Sequence, residues 1–113
     1  MMEVTIAELE AYLLDNYGNG GIDQSLFMKL VEEIGEVAEV LNKKAGRKKS
    51  DGEDLQSQLG NELADVIHYA VAIAALNDID MNEMILEKDK TASVKYNHGT
   101  NLEQFIMDKR SGI

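Results

Sequence analysis

The chain has no cysteine, no proline and no tryptophan, and only 5% of its 113 residues are aromatic. Without cysteine there is no disulfide framework, no thiolate metal site and no thiol nucleophile. Runs that alternate with a period of two and are rich in β-branched residues are also missing, which removes the usual mark of half-buried strands. Positive charge is scarce: 21 acidic residues stand against 11 basic ones, for a net charge of −10. A nucleic-acid footprint is normally basic, so a nucleic-acid polymer is not the expected partner. Nucleotides stay open, because a divalent ion can bridge phosphate to carboxylate. The longest apolar run, Val66 to Leu76, is too short to span a bilayer and contains His68. Met1 to Glu10 is acidic and amphipathic rather than signal-like. A cytoplasmic protein with no membrane partner is the expectation.

What is present reads as helix. The length suits one domain with one modest core. Thr5-Ile-Ala-Glu8 has the spacing of a capping box and opens a helix to about Tyr17, with Ile6, Leu9, Tyr12 and Leu13 on its apolar face. Asn19-Gly-Gly breaks it. A long helix follows from Asp23 or Gln24 to about Lys44, ending in Ala45-Gly46 and a basic cluster of Lys43, Lys44, Arg47, Lys48 and Lys49. These cations oppose the helix macrodipole and are also placed to steer phosphate. Ser50-Asp-Gly-Glu53 is spaced as a second capping box, opening a helix from about Glu53 to Leu76. Its second half is apolar nearly all round, which points to burial on several sides and to cover by a second subunit. Gly35 and Gly60 lie inside these helices and imply close helix crossing. Asp80 caps a further helix to about Lys95, and Thr100 a short final one bearing Leu102, Phe105, Ile106 and Met107. The expected fold is therefore all-α: one domain, 1–113, an antiparallel bundle of four to five helices completed by homodimerisation.

The two long helices each carry an acid-x-x-acid pair, Glu33-Ile-Gly-Glu36 and Glu62-Leu-Ala-Asp65. Residues three apart share a helix face, so each pair aims two carboxylates the same way. Phe27, Leu30, Val31, Ile34, Val37 and Leu41 recur at helical spacing beside the first pair, and Leu59, Leu63, Val66, Ile67 and Ala70 beside the second. Like charges brought together near an apolar stripe repel. Either the pairs face water separately, or a cation sits between them. All-oxygen ligation by carboxylates suits Mg²⁺ or Mn²⁺ rather than zinc or copper.

Lys29-Leu-Val-Glu-Glu-Ile-Gly-Glu-Val-Ala-Glu39, followed by Asn61-Glu-Leu-Ala-Asp-Val-Ile-His-Tyr69, resembles the MazG-like branch of the all-α nucleoside triphosphate pyrophosphohydrolases. The signature of that family is Glu-Glu-x-x-Glu, an interval, then Glu-x-x-Asp. Val94-Lys-Tyr-Asn97 resembles the end of its short members, so the likeness covers about Leu26 to Asn97, with a core at about 24–97. It implies that Glu33, Glu36, Glu62 and Asp65 hold Mg²⁺, with Mn²⁺ as a substitute, and that Glu32 faces a neighbouring group or solvent. It implies attack by water between the α and β phosphorus atoms of a nucleoside triphosphate, giving a monophosphate and pyrophosphate. One of the same glutamates positions the water. Lys29 is placed to meet phosphate or to pair with Glu32 or Glu33. Tyr69, one turn beyond Asp65, resembles a base-contacting aromatic, while His68 reads as a packing or capping residue.

Lys88, Lys95, Tyr96 and Asn97 resemble substrate contacts, but the asparagine usual between the lysines falls on Ala92, with Thr91 and Asn97 as neighbouring polar residues. The implied role is clearance of non-standard or excess deoxynucleotides by a homodimer or a dimer of dimers. Two other readings compete. A di-iron carboxylate bundle needs Glu-x-x-His on two helices, and only Asp65-x-x-His68 approximates it. A non-catalytic acidic bundle that binds a protein partner would tolerate neutralisation of Glu36 and Asp65.

Overall fold

A computed structural model describes residues 1–20 and 22–112, and among them it contains five helices and no strand. The all-α expectation holds. The chain divides into two compact units, Met1–Asp78 and Ile79–Ile113.

The first unit is built from α1 (Ile6–Tyr17), α2 (Asp23–Lys44) and α3 (Leu55–Leu76). The Thr5 hydroxyl accepts from the Glu8 amide at 3.1 Å, and the Glu8 carboxylate accepts from the Thr5 amide at 3.0 Å, so α1 opens on the capping box expected of it. Of the glycine pair that follows, Gly21 lies outside the described residues. α2 ends at Lys44, with Ala45 as cap and Gly46 at φ 77°, a left-handed backbone that glycine reaches without strain.

The start of α3 departs from the expectation. Asp54, not Ser50, is its cap, accepting from the Ser57 amide at 3.1 Å. Glu53 is drawn away instead: it takes the Asp51 amide at 2.7 Å, the Ser50 hydroxyl at 3.2 Å and the Lys43 ammonium at 3.0 Å. Lys44 reaches Gln56 at 3.2 Å and Lys48 reaches Glu39 at 2.8 Å. Arg47 reaches the Asn42 side chain at 3.4 Å, so four of the five basic residues fasten the link between α2 and α3.

The core of this unit lies where its three helices meet. Leu13 and Ala72 are 0% exposed, and with Leu26 and Val71 they form the buried cluster on which Leu9, Tyr17, Tyr69 and Ile73 pack. Ala72 is small enough to let α1 approach α3 closely. The second half of α3 is buried at Val71, Ala72, Ala74 and Ala75, but Ile67 is 51% exposed, so cover on every side is not achieved within one chain. Nor, among the described residues, do helices cross closely at Gly35 or Gly60: a Cβ at either would meet none of their atoms within 4 Å. By length and composition α3 is apolar enough to cross a membrane, although Glu62, Asp65 and His68 interrupt it.

The second unit pairs α4 (Met81–Lys95) with α5 (Leu102–Arg110). Asp80 caps α4 through the Glu83 amide at 3.1 Å, as its spacing implied. Asn101 rather than Thr100 caps α5, accepting from the Gln104 amide at 2.9 Å. The Asp89 carboxylate takes the Leu102 amide at 2.6 Å and so joins α4 to the start of α5. Two orphan donors of the first turn are thereby satisfied.

Candidate metal and nucleotide site

α2 and α3 lie side by side, and the positions at which they face each other include the acids. On α2, Leu26, Leu30, Glu33, Val37 and Val40 form the inward stripe at helical spacing, all buried or half-buried. Glu33 is therefore a carboxylate in an apolar seam. Glu62 is half-buried on α3, and Asp65, three residues on, is exposed. One carboxylate oxygen from each of Glu33, Glu62 and Asp65 lies within 4.8 Å of the others. Glu36 is exposed and stands against Glu62.

The electrostatics of this group are unfavourable as it stands. The Oε2 atoms of Glu33 and Glu62 are buried with no hydrogen-bond partner among the described residues. Ionised carboxylates only accept, so Glu36, Glu33 and Glu62 tolerate one another only with a proton or a cation among them. The neighbouring carboxyl of Glu36, then that of Glu33, and then burial push Glu62 from an ordinary 4.5 up to about 8. The group thus binds a proton tightly where it lacks a positive partner. A hard divalent cation fits the same need: three clustered carboxylates, two oxygens without donors and no thiolate.

His68 is not part of the cluster. Its Nε2 lies 2.8 Å from the Tyr17 hydroxyl, and its ring meets Tyr69 edge-on at 4.9 Å. Among the described residues, the cluster therefore lacks the imidazole that a di-iron bundle would place in it. Tyr69 is half-buried, one turn beyond Asp65 on the same face. Lys29 is exposed and pairs loosely with Glu32 at 3.6 Å. Lys88, Lys95, Tyr96 and Asn97 belong to the second unit. There Tyr96 caps α4, the Lys95 ammonium lies 5.4 Å from the Tyr96 ring centre, and Asn97 takes φ 57°.

Sequence reasoning brought the acids together but missed the Tyr17–His68 bond. The partners are 51 positions apart and belong to no short motif. In the sequence its partners are only one tyrosine at the end of α1 and one histidine within α3.

No curated protein matches the chain. A family model does, over residues 23–96, and its description is MazG nucleotide pyrophosphohydrolase domain. The matched span opens with α2, takes in both acid pairs and closes just after α4.

Proposed function

The chain belongs to the MazG nucleotide pyrophosphohydrolase family, and from that premise we propose that it is a Mg²⁺-dependent hydrolase of nucleoside triphosphates. The reaction adds water across the bond between the α and β phosphates. A new P–O bond forms as the bridging bond breaks, and a nucleoside monophosphate and pyrophosphate leave. The observation that carries the proposal is the convergence of Glu33, Glu62 and Asp65 oxygens within 4.8 Å, two of these residues holding buried oxygens without a donor.

Glu33, Glu62 and Asp65 would hold the ion, with Glu36 beside them. Mg²⁺ bound there supplies neutralising charge for the triphosphate and acidifies water. One of the four carboxylates takes the proton of the attacking water, and the apolar seam on either side keeps bulk water from the buried oxygens. Tyr69 and Lys29 are proposed nucleotide contacts by their place near the acids. Lys88, Lys95, Tyr96 and Asn97 are proposed on the family resemblance. The biological role we infer is removal of excess or non-standard deoxynucleotides in the cytoplasm.

A second copy of the chain is part of the proposal. Phe27, Val31, Ile34 and Leu41 form an outward stripe on α2, and Leu63 and Ile67 one on α3, each 44% exposed or more. Exposed apolar stripes of this kind on so small a unit favour a partner of the same composition. Gly35 and Gly60, each costing about 1 kcal/mol relative to alanine in a helix, have open space within the chain. A closely approaching helix of a second copy gives that cost a reason.

The test is a panel of deoxy, ribo and modified triphosphates with Mg²⁺, scored separately for pyrophosphate and for single phosphate. Pyrophosphate as the first product is expected. Release of single phosphates, or no turnover of any triphosphate, would refute the proposal.

A further inference from the structure

Tyr17 is the last residue of α1, and its hydroxyl meets Nε2 of His68 on α3 at 2.8 Å. The two rings approach edge-on with centroids 5.7 Å apart, and His68 in turn meets Tyr69 edge-on at 4.9 Å. All three side chains are half-buried, and both tyrosines pack on the cluster formed by Leu13, Leu26, Val71 and Ala72. A continuous chain of rings therefore runs from the end of α1 to the face of α3. Burial raises the Tyr17 hydroxyl above its ordinary value, so it stays a neutral donor and acceptor. If Nε2 is bare the hydroxyl donates to it, and if Nε2 is protonated the hydroxyl accepts, so the link holds in either state of the imidazole. It is a strut rather than a switch.

The strut ends beside the acids. Tyr69 follows Asp65 by one turn on the same face of α3, and Asp65 contributes one of the three converging oxygens. Helical spacing thus sets the Tyr69 side chain one turn along from a ligand joined to the Asp65 oxygen. Nothing in the holding of a cation needs Tyr17 or His68, since neither belongs to the cluster. A tyrosine, an imidazole and a hydrogen bond are nonetheless arranged against the ring that stands one turn beyond Asp65.

The geometry points to Tyr17 as a positioning residue for the nucleotide: acting through His68, it holds the Tyr69 ring beside the substrate anchored at the acids. The inference builds on the metal-site reading above and extends it to a helix outside the matched family span.

The experiment compares parent, Tyr17→Phe, Tyr69→Ala and the double variant with Mg²⁺ and each of the four common deoxynucleoside triphosphates. Tyr17→Phe removes one hydroxyl and keeps the ring. Its KM should rise about three- to tenfold, the worth of one lost hydrogen bond, with kcat and Mg²⁺ affinity unchanged. In the Tyr69→Ala background the same change should add nothing, because the ring it serves is gone. A KM unaltered by Tyr17→Phe, or raised equally in both backgrounds, overturns the inference while leaving the metal site standing. A parent that binds no Mg²⁺ and turns over none of the four overturns both.

Discussion

Moving the solution from pH 6 to pH 8 begins to strip the proton from one carboxyl of the acid cluster, that of Glu62. With its carboxyl pushed up to about 8 by Glu36 and Glu33, protonated molecules outnumber ionised ones by about 100 to 1 at pH 6 and by about 10 to 1 at pH 7. Mg²⁺ binds the ionised site, so proton and metal compete. The apparent affinity for Mg²⁺ should therefore rise roughly 50-fold between pH 6 and pH 8, with about one proton released per ion at pH 6 and about half a proton at pH 8. A carboxylate at the ordinary 4.5 would change its ionised fraction by only about 3% over that interval. Calorimetric titration in buffers of different ionisation enthalpy measures both affinity and proton count.

The same shift sets the sign of the stability change without metal. Between 4.5 and about 8 the folded chain holds a proton at Glu62 that the unfolded chain has lost. The contribution of Glu62 to metal-free stability should then be complete below 4.5 and decline as pH rises through this window. Saturating Mg²⁺ should remove the decline, because the ionised site is then the favoured one. A Mg²⁺ affinity flat from pH 6 to 8, with no proton released, would refute the crowding of these carboxylates.

Three further outcomes are expected. Glu36→Gln and Asp65→Asn should each lower kcat/KM by about 100-fold or more while far-UV circular dichroism shows the helices intact; full activity in both would favour the protein-binding reading. Hydrogen bonds from backbone amides and Lys43 hold Glu53 down at about 2, so its contribution to stability is complete above 4.5 and lost as pH falls towards 2. Glu53→Gln should accordingly lower the melting temperature at pH 7, by an amount that shrinks in thermal scans below pH 4.5. Val31→Asp, placed on the outward stripe of α2, should convert a dimer into a monomer by light scattering with helix content kept; a parent already monomeric at tens of micromolar would remove the case for a second copy.

How far the sequence could be read depended on the range of the interaction. Thr5 and Glu8 were legible because a capping box closes within four residues. Ser50 and Glu53 had the same spacing and misled, because Lys43, from the preceding helix, reaches Glu53 and Asp54 takes over the cap. Glu33, Glu62 and Asp65 were legible as a group because helical periodicity puts each acid pair on one face beside an apolar stripe. That Glu62 is the member forced to keep a proton was not, since it follows from how Glu36 and Glu33 close on it. The glycines misled in another way: Gly35 and Gly60 signalled a close neighbour that this chain alone does not supply. Tyr17 stood in the sequence only as a helix end and His68 as a packing or capping residue, and only the packing of α1 on α3 makes them partners.

The ties between Lys43 and Glu53, Lys44 and Gln56, and Lys48 and Glu39 also act at a distance. Sliding one helix by a single residue moves it about 1.5 Å along its axis and turns each side chain by about 100°. A slip of that size between α2 and α3 would swing Glu62 away from Glu33 and scatter the oxygens. The fastened bend thus works as a vernier stop, fixing the axial phase of two rods whose chemistry lies two to three turns away.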